Sequence, residues 1–291
     1  MKIKNGVLLA CILTTIVMLC GCSQYILPKQ GPFEPEETGA AGDKKTEALL
    51  SDGIHVSNVD ELLAAIAPNT VICLDEGEYD LSTAFDYGLP GGTYYKWEIE
   101  FDGPQLIIEG VDRLSIIGAG ADRTTLFAVP RYANVLTFSN CSNICVEGLT
   151  AGHTTEPGYC TGGVLCLSDC TDTVIKGCDL FGCGIMGIQA FNCERLDVSD
   201  TVIRECSEGA VQITNCADST FSGCVIRECG DYNICIGDCR NVRFTNCEID
   251  GEKYDDFFRV YDVLDVLTKK TQVKNLEKKL LTLKIKYYKK I

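Results

Sequence analysis

The sequence predicts an all-β chain wound as a parallel solenoid of coils about 23 residues long, and three observations predict it. Cysteines return at a fixed interval: Cys170, Cys193, Cys216 and Cys239 are 23 residues apart, as are Cys183, Cys206 and Cys229. Apolar columns keep the same interval, with Val198, Phe221 and Phe244 in one, Leu180, Ile203, Ile226 and Ile249 in another, and Ile188, Val211 and Ile234 in a third. Within each unit apolar and polar residues alternate, as in VIRECSEGAVQITNC, and period two means strands with one buried face. Each unit holds about three such runs, broken by Gly, Asn, Asp and Ser. Stacked unit on unit, they place matched columns about 4.8 Å apart.

Residues 1–22 read as a targeting segment. Lys2 and Lys4 precede an apolar run from Val7 to Leu19, shorter than a spanning helix needs. The reading weighed against this is an uncleaved anchor helix. The run ends in LCGC, which resembles the lipobox of bacterial lipoproteins, although Cys20 is a less usual residue at its place. That resemblance implies that Cys22 is lipidated and becomes the new N-terminus. The protein is then expected outside the cytoplasm, held at the cell membrane by a lipid anchor. Residues 23–52 are polar and rich in Pro, Gly, Glu and Lys, a flexible tether.

Residues 53–262 carry the coils. VDELLAAI is amphipathic, with Asn58 or Asp60 available as an N-cap, and predicts a capping helix. The unit from Cys141 to Asp169 fits the repeat if six residues, TTEPGY, are treated as an insertion. The cysteines are expected inside, at the crowded bends between strands, because Cys packs as a small apolar group. A reduced ladder is the favoured state. Vertical disulfides are the second, since in-register parallel side chains suit the required torsion poorly, and a metal site is the third.

With SNVDELLAAIAPNTVICLDEGEYDL as cap and first strands and LSIIGAGADRTTLF as an early coil, residues Ile54 to Asp262 resemble the right-handed parallel β-helix, or pectin lyase-like, superfamily. The resemblance implies outer-face activities: polysaccharide lyases, glycoside hydrolases or epimerases. The paired-aspartate and HG motifs of polygalacturonases are absent, as are the DH and RIK-like segments of the lyases. What the repeat offers instead is one turn column holding His153, Gly182, Glu205 and Glu228, beside Arg204 and Arg227. His153, Glu205 and Glu228 are the candidate catalytic residues, since two carboxylates one coil apart raise one pKa and share a proton. Glu156 in the insertion, Arg204, Arg227 and Tyr232 are the candidate substrate-binding residues. The bland reading is a solvated turn column with surface ion pairs. A second cluster, Tyr232, Tyr254, Asp255, Asp256, Phe257 and Phe258, suits sugar rings or a Ca²⁺ ion bridging to an acidic polymer, or covers the end of the solenoid. No other cofactor is expected, and no metal site.

Charge narrows the partners. The formal net charge is −15, yet residues 266–291 hold nine lysines against one acid, Glu277, about +8 in all, so the rest carries about −23. An acidic body repels phosphate backbones, and nucleic acid is excluded as a partner. The tail, 263–291, loses Gly, Cys and the period, while Leu276, Leu280 and Leu283 keep helical spacing. It is expected to be a basic, amphipathic segment outside the coils. The expectation overall is a monomer that engages a polysaccharide or cell-surface glycan, by binding or by lyase or hydrolase chemistry. The alternative is a non-catalytic scaffold for protein contacts.

Overall fold

Strands that bury alternate residues must cover their apolar face, and here three sheets turn theirs into one shared core. The computed structural model describes residues 52–85, 91–153, 161–182, 184–230 and 233–250, with the backbone of three later strands, Phe258–Tyr261, Val266–Lys269 and Gln272–Lys274. All belong to the unit Asp43–Ile291. The chain visits three sheets in turn. Sheet A has nine strands, from Ile54–Val56 to Val266–Lys269; sheet B has eight, from Gly77–Asp80 to Gln272–Lys274; sheet C has eight, from Tyr95–Glu100 to Phe258–Tyr261. Every pairing is parallel except Tyr95–Glu100 with Gly103–Glu109, an antiparallel hairpin at one end of sheet C.

The predicted columns pair in register: Val198 with Phe221 and Phe244 in sheet A, Leu180 with Ile203, Ile226 and Ile249 in sheet B, and Ile188 with Val211 and Ile234 in sheet C. All of these side chains are buried. The Phe221 and Phe244 rings stack with centroids 4.7 Å apart. The N-terminal end is closed by helix α1, Val59–Ala65, which buries Val59, Leu62, Leu63 and Ala65. Asn58 is its cap, accepting from the Glu61 amide at 2.9 Å, while Glu61 accepts from the Ser57 amide at 2.8 Å.

Each bend uses two adjacent residues. The first takes a left-handed φ: Asn140, Asp169, Asn192, Asn215 and Asp238 between sheets C and A, and Gly148, Gly177, Asp200, Gly223 and Asn246 between A and B. The second is buried and in most coils a cysteine, with Leu149 and Thr201 in its place between sheets A and B. The cysteines at these bends, Cys141, Cys170, Cys178, Cys193, Cys216, Cys224, Cys239 and Cys247, are free thiols. Cys170 Sγ lies 3.3 Å from the Ser168 carbonyl, and Cys239 Sγ 3.0 Å from that of Gly237. Where Thr201 occupies the column, its hydroxyl donates to Ser199 O at 2.9 Å. The Cys193 amide in turn donates to Cys216 Sγ at 3.4 Å, one coil on. The position therefore calls for a small side chain that donates two residues back and accepts from the coil beneath. Burial pushes the Cys178 thiol up to about 11, so it stays protonated and unreactive.

One boundary differs from the sequence reading. The coils do not stop at Asp262: Val266–Lys269 pairs with Val242–Thr245, and Gln272–Lys274 with Glu248–Asp250. The reason is one extra residue. Arg227 to Ile234 spans seven positions and Asp250 to Phe258 spans eight. At a 24-residue offset Phe258, Val260, Val266 and Val273 take the places of Ile234, Ile236, Val242 and Ile249, whereas the 23-residue interval sets Arg259 against Ile236. The helical spacing of Leu276, Leu280 and Leu283 lies outside the described residues.

Two outcomes follow. Cys224→Thr keeps the hydrogen bond to Ser222 O and changes unfolding free energy by less than about 1 kcal/mol, whereas Cys224→Val loses that bond while the Asp200 amide still donates to the carbonyl at 2.9 Å, and costs about 0.5–1.5 kcal/mol in chemical denaturation. Truncation after Asp262 removes the two strands that cover the preceding coil and lowers Tm by several degrees in thermal melts.

Candidate functional site on the outer face of sheet B

In sheet B the inward column is Leu126, Ala151, Leu180, Ile203 and Ile226, so alternation sends the next residue of each strand outward. That outer column reads Phe127, Gly152, Phe181, Arg204 and Arg227. Gly152 matters because a Cβ there would lie 2.6 Å from the Phe181 ring, so only glycine lets the ring rest on the neighbouring coil. Arg204 covers the other side of Phe181, its Cζ 4.9 Å from the ring centroid. Asp179, two residues before Phe181, holds the guanidinium with Nε to Oδ1 at 2.9 Å and Nη2 to Oδ2 at 3.1 Å. Phe127, Phe181, Asp179 and Arg204 are all half-buried, each presenting part of itself to solvent. The result is a fixed row of aromatic face, planar cation and carboxylate.

The predicted acidic pair is present but differently engaged. Arg204 Nη1 donates to Glu205 at 2.8 Å, and Arg227 Nη1 to Glu228 at 2.8 Å. Each carboxylate is thus engaged by its own arginine, a correction to their expected pairing with one another. Both glutamates have left-handed φ, near 59° and 57°, and their side chains are about half exposed, at 48% and 57%.

His153 is a second correction. It shares their register position but not their face. Its strand, Thr150–His153, runs one residue further than Asp179–Phe181, and the left-handed turn of the later coils does not occur there. The imidazole therefore goes inward, 2% exposed, with Nε2 3.2 Å from Gly163 O. Burial pushes its pKa below the usual histidine value. Gly182 packs directly against this strand, since a Cβ on it would meet the His153 amide nitrogen at 2.7 Å. Glu156, Tyr232 and Cys22 lie outside the described residues, as do Tyr254, Asp255, Asp256 and Phe257. Among the described residues no cluster of three or more His, Cys, Asp or Glu is placed to hold a metal ion, and no helix is long and apolar enough to cross a membrane.

Sequence reasoning found Arg204 and Arg227 but missed Asp179 and Phe181. The signal was available: CDLFGC aligns with CVIREC in the repeat, placing Phe181 on the arginine column and Asp179 beside it. Gly152, the third member, becomes visible only once the aligned strands are stacked.

A family model described as a right-handed beta helix region matches residues 162–281. The fold is a right-handed parallel β-helix. No curated protein matches the chain. Solved structures similar to it include an alginate lyase from Paenibacillus sp., 10% identical, covering 77% of this chain and 95% of its own, with TM-score 0.43. A pectate lyase from Paenibacillus sp. is 7% identical, covering 76% of this chain and 78% of its own, with TM-score 0.42. A pectin methylesterase from Erwinia chrysanthemi is 10% identical, covering 82% of this chain and 90% of its own, with TM-score 0.41.

The buried imidazole carries a pH signature. Its folded pKa is depressed, so the unfolded chain binds the proton more readily. Stability is therefore full above about pH 6.5 and falls below it, by at most about 1.4 kcal/mol per pH unit for one proton. In urea unfolding followed from pH 7.5 to 5.5, His153→Gln is expected to flatten that decline.

Proposed function

We propose that this chain binds carbohydrate along the outer face of sheet B, displayed outside the cytoplasm on a lipid anchor at Cys22. The observation that carries the reading is the row of Phe181, Arg204 and Asp179, with the cation stacked 4.9 Å from the ring and held by the carboxylate. A sugar ring offers apolar C–H faces and a rim of hydroxyls. The part of Phe181 left exposed between Gly152 and Arg204 offers apolar contact to the first, and the guanidinium fork with its carboxylate suits the second. Both arginines are already oriented by acids, so little side-chain freedom is lost on binding.

Binding without bond cleavage is the form this geometry favours. Glu205 and Glu228 are spent on arginines, and His153 faces the interior. The anchor rests on the LCGC sequence and the charged, apolar start of the chain.

A glycan array with the full chain tests the reading. At least one polysaccharide is expected to bind, with affinity lowered about tenfold by Phe181→Ala and by Arg204→Ala. Absence of any bound glycan, with or without Ca²⁺, would leave a protein-binding scaffold as the better description.

A further inference from the structure

The tip of the hairpin formed by Tyr95–Glu100 and Gly103–Glu109 is pinned to the segment that carries the next coil from sheet B to sheet C. Asp102 accepts from two successive amides of that segment, Arg131 at 2.6 Å and Tyr132 at 3.1 Å. Gly103 closes on Pro130, where a Cβ would lie 2.6 Å from Pro130 Cγ. Phe101 tilts against Tyr132, with ring centroids 5.1 Å apart. So held, Phe101 is still 86% exposed, the one aromatic side chain among the described residues left mostly in water. Ile99 and Val129, on the same two segments, are exposed as well, at 61% and 45%. Three exposed apolar side chains on a fixed tip make a patch rather than a scatter, and a patch on a fixed tip calls for an occupant.

The place of the tip in the fold selects that occupant. Residues 129–132 follow directly on Thr124–Ala128, the sheet B strand that sends Phe127 outward. Phe127 belongs to the outer column that continues through Gly152 and Phe181 to Arg204, three coils on, or about 14 Å at the usual strand spacing. We propose that Phe101 is a stacking platform of the carbohydrate site, taking one end of a glycan that runs along the border of sheets B and C toward Arg204. This rests on the carbohydrate reading of sheet B and adds what that row lacks. Phe181 lies between Gly152 and Arg204, so its ring faces are largely taken, whereas Phe101 offers an open ring to the C–H face of a sugar. A lipid surface fits this tip poorly, because Glu98, Glu100 and Asp102 all stand within three residues of Phe101 and anionic headgroups repel them. A ligand that reaches both Phe101 and Arg204 must be several sugars long, so a disaccharide gains one contact and not the other.

A glycan array printed with each polysaccharide as its dimer through hexamer tests this with the full chain in non-ionic detergent. At least one hexamer is expected to bind wild type about tenfold more tightly than its dimer. Phe101→Ala and Phe101→Leu are each expected to lower hexamer affinity about tenfold, because Leu keeps an apolar group and loses the ring. Phe101→Trp should retain it. Circular dichroism checks that each variant is folded, as expected for a change at an exposed tip. A hexamer that binds, weakens with Arg204→Ala and is indifferent to Phe101→Ala overturns this inference and leaves the carbohydrate reading standing. Full affinity in Phe101→Leu, or a dimer bound as tightly as its hexamer, overturns it as well. Wild type that binds no glycan removes the carbohydrate reading and this inference with it.

Discussion

The structure depends on turning a strand through a corner without leaving buried backbone groups unpaired. A left-handed residue makes the turn, and the small residue after it fills the corner while hydrogen-bonding back to the strand it has left. Repeated at matched positions, this fixes the register of every column, because a slip of one residue would exchange inside for outside. The cysteines belong to this device. Their service is size and a weak donor, which is why Thr201 stands in for one of them with the same bond.

Once register is fixed, the outer faces acquire columns of their own, and these differ in character. On sheet A charges pair between coils: Arg195 with Asp172 at 2.6 Å, and Arg240 with Glu194 at 2.9 Å. Such exposed pairs contribute little to stability. Sheet B adds a half-buried aromatic ring, Phe181, to its paired charges, and that addition sets its proposed binding face apart from sheet A. Phe181 is seated by Gly152 beneath it and by Arg204 above.

Much of this was legible in the sequence. The 23-residue columns, the capping helix with Asn58 and the six-residue insertion all follow from period and spacing, which act locally. What escaped was governed by corners. The side chain at the register position of His153 turns inward or outward with the φ at that bend, and no alternation rule states it. The extra residue before Phe258 displaced the apolar pattern by one, so the last strands read as foreign to the coils. Phe181 and Asp179 differ in type from the Arg and Val that replace them one coil later, which hid a column that had been found only in part.

From Leu136 onward, the passage from sheet C to A keeps a constant length, and so does that from A to B. The passage from B to C varies, with thirteen positions from Gly152 to Leu165, seven from Phe181 to Ile188 and eight from Asp250 to Phe258. Growth of the chain is thus tolerated along a single border, the one flanking Phe181 and Arg204. A lineage carrying this scaffold is free to try new loops beside the proposed binding face one rung at a time, while the cylinder underneath keeps its shape.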